Sequence, residues 1–431
     1  MKSALARKVN SNPAYLKIFE WGKLIAITGS SQAIIQLMGL LSGIFVIRML
    51  STHQYGLYVL ANTMLGTMSV LSDGGISTAV MAQGGKVWTD RKQLGKVLST
   101  GFELRKLFSY GSLIVSIPIL FYLLYRHDAG ILTSVLITLS IIPVFLSSLS
   151  GSLLQIGLTL NQDIRPLQRN QIIVNASRFL LLIAALFITP WAFVAILASA
   201  VPQIWGNYKL RTMTSKYADW GMLPDAAMRK EILRFVKRTL PGAIYFCLSG
   251  QITIWLISLF GSTNSVAQIG ALGRLSMMLS FFSVMFATIV VPRFSRLPSK
   301  KSVLLRRYFA IQSGLLVLSA LIICIIYIYP KEVLWVLGKS YANLETELLL
   351  SVISSCLGLI AGSIYSLSTS RGWAINPLVS IPLSVGTIIL GVFALDITSI
   401  YGVLKFNILL MSVEVIMYLV YIINKIINEN N

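Results

Sequence analysis

The stretch AQIGALGRLSMMLSFFSVMF, residues 267–286, is apolar over the width of a bilayer yet carries one arginine, Arg274. A helix of roughly 20 mostly apolar residues crosses the hydrocarbon core. Guanidinium keeps its proton inside proteins. Translocon scales put a cation at mid-membrane at about 2.5–3.5 kcal/mol. Such a charge faces a partner or a cavity rather than lipid. Two questions follow: how many such spans the chain holds, and what Arg274 meets.

The chain has 431 residues, 55% of them hydrophobic and 12% charged, and its mean hydropathy is +0.77. A soluble protein carries about 25% charged residues, so this is a polytopic membrane protein. Apolar segments of spanning length lie at about 24–47, 57–82, 107–125, 131–158, 170–188, 191–208, 240–260, 266–291, 308–329, 345–370, 375–395 and 400–424. The expected fold is all-α, with twelve transmembrane helices.

The net charge of +21 would suggest nucleic acid in a soluble chain. Here it follows topology. Of the 36 Lys and Arg residues, only Arg48, Arg126, Lys331 and Lys339 fall on one side, and Arg178, Arg274 and Lys405 fall within spans. The rest, Arg105 and Lys106 among them, are placed in loops or terminal segments on the other side. That is the positive-inside pattern. It predicts cytoplasmic termini, attraction to anionic inner-leaflet lipids and no nucleic-acid partner. The basic segment MKSALARKVNSNPAYLKIFEWGK lacks the early apolar core of a signal peptide and reads as retained in the cytoplasm.

A basic connector, 209–238, separates an N-terminal six-helix lobe, 1–208, from a C-terminal one, 239–431. In its PDAAMRKEILRFVKRTLP, residues Ile232, Leu233, Phe235 and Val236 recur at helical spacing among cations. The pattern predicts a helix lying on the inner leaflet. Each half opens with a span, a short polar turn and a span, as in a parallel repeat.

Catalytic chemistry finds no foothold. Cys247, Cys324 and Cys356 lie in apolar segments without disulfide or metal spacing, and His53 and His127 sit in short loops. Gly338-Lys339-Ser340 has Val333 where a phosphate loop needs its first glycine. The outer loops are short, which argues against a membrane glycosyltransferase or polymerase. No enzyme, metal or cofactor is expected.

Polar residues within the spans form faces. Asn62, Gly66, Ser69, Asp73 and Ser77 share one face of the second span, and Gln32, Gln36, Gly39 and Gly43 one of the first. Gln171, Asn175 and Arg178 do so in the fifth, and Asn407, Met411, Glu414 and Tyr418 in the twelfth. The glycines read as packing between helices. The charges read either as structural pairs, Asp73 with Arg178 or Arg274 and Glu414 with Lys405, or as a cavity. Cations outnumber acids, and Arg48 adds another at the end of the first span. Surplus guanidinium points to an anionic passenger, because its planar fork matches phosphate oxygens. The substrate-binding candidates are therefore Arg274, Arg48, Arg178 and Lys405. Asp73, Glu414, Asn62, Ser69, Gln32, Gln36 and Asn175 are candidates for polar contacts or coupling. Met277, Met278, Phe281 and Phe282 would suit a lipid chain.

Two stretches carry a resemblance. IRMLSTHQYGLYVLANTMLGTMSVLSDGGISTAV, residues 47–80, resembles the signature of bacterial polysaccharide flippases through Arg48-Met49-Leu50, Tyr55-Gly56 and Asp73-Gly74-Gly75. GALGRLSMMLSFFSVMFATIVVPRFSRL is similar to that family's arginine-containing eighth helix, closing in Pro292-Arg293. The resemblance implies an O-antigen-type flippase of the multidrug/oligosaccharidyl-lipid/polysaccharide (MOP) exporter superfamily, MATE-like, in the bacterial inner membrane. Its implied passenger is an undecaprenyl-diphosphate-linked oligosaccharide, moved by alternating access between two lobes. Coupling to a Na+ or H+ gradient or to membrane potential stands in place of a cofactor. Polysaccharide polymerase and chain-length machinery are the implied partners. Two relatives stay open as alternatives. A drug/cation antiporter would want acids in the first or seventh span, which have none. A flippase for the peptidoglycan lipid precursor usually has more helices and more cations near its start.

Overall fold

The computed structural model describes residues 13–295, 297–298, 300–371, 373 and 375–428. Among them there is no strand. The first half comprises α1 (Pro13–Met49), α2 (Thr52–Asp73), α3 (Ile76–Gly84), α4 (Arg91–Arg126), α5 (Ile131–Leu160), α6 (Ile164–Ile188) and α7 (Ala192–Thr214). Then come α8 (Ala226–Gly250), α9 (Ile252–Phe260), α10 (Thr263–Ile289) and the short α11 (Val291–Ser295). The chain closes with α12 (Lys301–Ile328), α13 (Pro330–Leu337), α14 (Glu345–Ser370), α15 (Pro377–Ala394) and α16 (Ile400–Asn428).

Among the described residues, 8 helices are long and apolar enough to cross a membrane, and the chain is a multi-pass membrane protein. They are α1, α4, α5, α6, α10, α12, α14 and α16. α2 falls outside this set because one of its faces is polar. Protein covers it instead: Tyr55, Leu57, Met64, Met68 and Ser72 are all buried.

Three sequence expectations are corrected. The span expected over 57–82 breaks at Gly74 and Gly75, whose φ angles of 47° and 96° are left-handed. Gly74 closes α2 by donating its N–H to the Val70 carbonyl, a conformation that only glycine adopts without strain. The third helix starts at Arg91, well before 107. Asp90 caps it, its carboxylate accepting from the N–H groups of Lys92 and Gln93. Arg105 and Lys106 are thus helical rather than loop residues, and Arg105 is only 6% exposed.

The third correction concerns the connector. Its helix does form, capped by Asp225, but it runs on unbroken to Gly250. Its apolar side is also taken: Ile232 and Val236 pack against Ile76, Val80 and Leu94. The 3.6-residue period identified the helix but not the surface that receives its apolar side.

The cores show how the halves meet. The largest joins Val46, Tyr55 and Val59 to Val266, Leu272, Leu334, Tyr341 and Leu348, so both halves share it. It lies at the end of the helices where Met49 meets Thr52 and Phe260 meets Thr263. Toward the other end the cores separate, one around Ile76, Leu94 and Ile232, one around Phe294, Tyr308 and Ile422. The halves are welded at one end; at the other each keeps its own core, and α8 reaches across to the first half through Ile232, Val236 and Leu240.

Candidate functional site

α1, α6 and α10 enclose a cavity of about 620 Å³. Gln32 and Gln36 from α1, Asn175 from α6 and Arg274 from α10 supply its polar wall. Leu37, Leu40, Met277, Met278, Phe281 and Phe282 supply the apolar wall, and no carboxylate stands among its described lining residues. Four residues singled out in sequence thus meet at one place.

Arg274 lies toward the welded end. Its side chain crosses α1 over Gly43, where a Cβ would stand 2.9 Å from Arg274 Cδ and 3.2 Å from Nε. Tyr58 and Tyr55 of α2 are its electrostatic neighbours. The Tyr55 hydroxyl is buried and makes no hydrogen bond of good geometry. Nη1 of Arg274 lies 3.6 Å from Met277 Sδ, a weak acceptor. The ion pairs among the described residues are Arg105–Asp73, Arg229–Glu103 and Lys331–Glu345. None involves Arg274, so its charge is left to the cavity. Farther along the wall, the Ser280 hydroxyl donates to Gln36 Oε1 at 3.2 Å, tying α10 to α1.

The other candidates lie elsewhere. Arg48 donates from Nε to the Val336 carbonyl at 2.9 Å and from Nη2 to the Trp335 carbonyl at 2.7 Å. Its guanidinium stacks 4.9 Å from the Trp335 ring centre. It thus serves the orphan carbonyls ending α13 and fastens the halves together. Lys405 is exposed, 4.3 Å from the Tyr401 ring centre. It does not pair with Glu414, because nine positions along a helix put the two on opposite faces. Arg178 follows Asn175 by one turn but does not line the cavity; its Nε is buried without a partner. Asn62 and Ser69 donate to the carbonyls of Tyr58 and Leu65 on their own helix.

Asp73 pairs with neither Arg178 nor Arg274. Its Oδ1 sits 2.7 Å from Nη2 of Arg105 and accepts from the Ser77 hydroxyl at 2.7 Å. Arg105 Nη1 also donates to Ser77 and to Ser152. This network braces the Gly74–Gly75 break between α2 and α3 against α4 and α5. Hydropathy alone places Arg105 in a loop, where it does not count among the span cations. The signal was there: Asp90 is a good cap, and a cap moves the helix start upstream.

Beyond Arg274 the welded end is closed by contacts between halves. His127, 2% exposed, caps α4. Its Nε2 pairs with the Ser258 carbonyl at 2.8 Å and its Nδ1 with the Thr263 hydroxyl at 3.0 Å. Burial pushes this imidazole below its ordinary range. His53 Nε2 meets the His127 carbonyl at 3.1 Å, so both histidines of the chain sit in one seal. Tyr55 meets Tyr341 edge-on at 6.5 Å.

No protein-family model and no curated protein sequence matches the chain. Solved structures do share its fold. The lipid II flippase MurJ, in an inward closed conformation, superposes with a TM-score of 0.72 at 12% identity, over 93% of this chain and 87% of that one. A multidrug resistance MATE family transporter of the MOP superfamily, inward-facing, gives 0.66 at 13% identity, over 90% and 92%. An outward-facing MATE family transporter of the MOP superfamily gives 0.58 at 14%, over 92% of both chains. The fold is that of MOP-superfamily transporters. In these comparisons it scores higher against the inward structures than against the outward one.

Proposed function

We propose that this chain is a bacterial inner-membrane flippase that carries an undecaprenyl-diphosphate-linked oligosaccharide of the O-antigen type, with twelve spans and cytoplasmic termini. The observation that carries the reading is Arg274: a guanidinium in no ion pair among the described residues, near the sealed end of a largely apolar cavity with no acid among its described lining. A diphosphate supplies the anion that this cation lacks, and its planar fork binds phosphate oxygens in pairs. Met277, Met278, Phe281 and Phe282 give the first isoprenes an apolar wall, while Gln32, Gln36 and Asn175 offer donors and acceptors to sugar hydroxyls. A cationic drug would meet a like charge there and no counter-ion. On this reading the welded end faces outward, and it parts to release the passenger as the two lobes rock about the cavity.

Binding tests the substrate class. Undecaprenyl-diphosphate-oligosaccharide titrated into detergent-purified protein should quench intrinsic tryptophan fluorescence saturably. Arg274→Gln should weaken it by about 10–150-fold, since a charge-assisted hydrogen bond is worth about 1.5–3 kcal/mol. Binding of a lipophilic cation with no response to the diphosphate would favour the drug antiporter instead.

A further inference from the structure

A second cavity, of about 500 Å³, opens on the flank of the first half, between α4, α5 and α7. It shares no residue with the central cavity. Ser99, Ser150, Asn207 and Arg211 give it polar atoms, and Phe102, Leu154 and Trp220 give it an apolar floor. Trp220 closes it from the α7–α8 connector. Its ring meets Phe102 edge-on at 5.6 Å and lies 5.8 Å from the Arg211 guanidinium.

The sequence of surfaces along α7 fixes the depth of this groove. Val201 (61% exposed) and Ile204 (51%) face outward first, then Trp205 (41%) and Tyr208 (73%). Lys209 follows, its Nζ 3.9 Å from the Trp205 ring centre, and then Arg211. Apolar, aromatic, cationic is the order met on leaving a bilayer through its headgroups. On α4, Tyr110 and Lys106 repeat it, with Nζ 6.0 Å from the ring. The groove therefore sits at headgroup depth, on the side of the basic loops.

We infer that this groove binds the phosphodiester of an anionic phospholipid such as phosphatidylglycerol, with Arg211 and the Tyr208 hydroxyl as donors and an acyl chain running back into the bilayer along Val201 and Ile204. A zwitterionic lipid offers the same phosphate but brings its own cation toward Arg211, so the groove discriminates by headgroup charge. The site does not depend on what the central cavity carries.

Native mass spectrometry of the purified full chain tests this with phosphatidylglycerol, phosphatidylcholine and inorganic phosphate as probes. Phosphatidylglycerol should add one retained adduct and raise the melting temperature saturably, and phosphatidylcholine should bind at least about tenfold more weakly. Arg211→Gln should remove that adduct, and Tyr208→Phe, which keeps the ring and loses the hydroxyl, should weaken it severalfold. Lys209→Gln, two positions away on the other side of α7 and outside the groove, should leave it unchanged. If Arg211→Gln fails to fold, Ser150→Leu, which fills the groove without touching a charge, should remove the adduct instead. Equal retention by Arg211→Gln, equal binding of both lipids, or competition by inorganic phosphate alone would each overturn the assignment.

Discussion

Gly56→Ala probes the welded end. Gly56 of α2 lies against the start of α10, where an added Cβ would stand 2.6 Å from the Thr263 carbonyl oxygen and 2.8 Å from Thr263 Cγ2. Carbon atoms pack comfortably at about 3.5–4.0 Å. The two helix ends must therefore part by roughly 0.7 Å, and the carbonyl, being backbone, cannot swing aside. Overpacking of this kind costs about 1–3 kcal/mol. The strain exists only while the halves touch, so it should shift the open-to-sealed ratio by about 5–150-fold. Spin labels at Tyr125→Cys and Lys339→Cys, in a background without the native cysteines, would report the separation of the halves. Both sites are exposed, one in each half. The expected result is a longer, broader distance population in Gly56→Ala. Gly273→Ala, whose added methyl meets nothing within 4 Å, should match the parent. Superimposable distance distributions for Gly56→Ala and the parent, at equal thermal stability, would refute the reasoning.

Other outcomes follow from the same contacts. Gly43→Ala should displace Arg274 and lower transport severalfold, whereas Gly39→Ala, which adds a methyl with nothing within 4 Å, should leave transport near the parent level; equal rates would show that the passage over Gly43 does not matter. Arg105→Gln leaves Asp73 without its cation. Because Asp73 keeps 27% exposure, the loss should be about 2–3 kcal/mol, below the roughly 3–5 kcal/mol of a fully buried pair. A double-mutant cycle with Asp73→Asn should show coupling, and strict additivity in melting experiments would deny the pair. For His127, flanked by Arg126, Asp128 and His53, burial favours the neutral ring. The sealed form is then at full strength above the ordinary imidazole value of about 6.5 and weakens as pH falls below it. Spin-label distances should widen on acidification in the parent and lose that dependence in His127→Gln.

The membrane class was legible in composition alone, because 12% charged residues is about half a soluble chain's share and 55% are hydrophobic. Helix positions were legible from apolar runs, but not their ends. Asp90 and Asp225 start helices through side-chain hydrogen bonds that hydropathy does not register. The cavity was legible in part. Gln32, Gln36, Asn175 and Arg274 meet because polar atoms at mid-span must face one another. Arg48 and Lys405 carry the same charge, yet they find carbonyls and a tyrosine ring near helix ends. Charge type alone could not separate the two fates. The Asp73 partner was missed for a plainer reason: Arg105 lies in the next long helix, and a span set too late hid it.

The most direct test is translocation of a fluorescent undecaprenyl-diphosphate-oligosaccharide in proteoliposomes, parent beside Arg274→Ala at equal reconstitution. The account predicts transfer by the parent and its loss in the variant, with both proteins folded and both binding the lipid of the flank groove. Equal transfer by the two would contradict the claim that Arg274 receives the diphosphate.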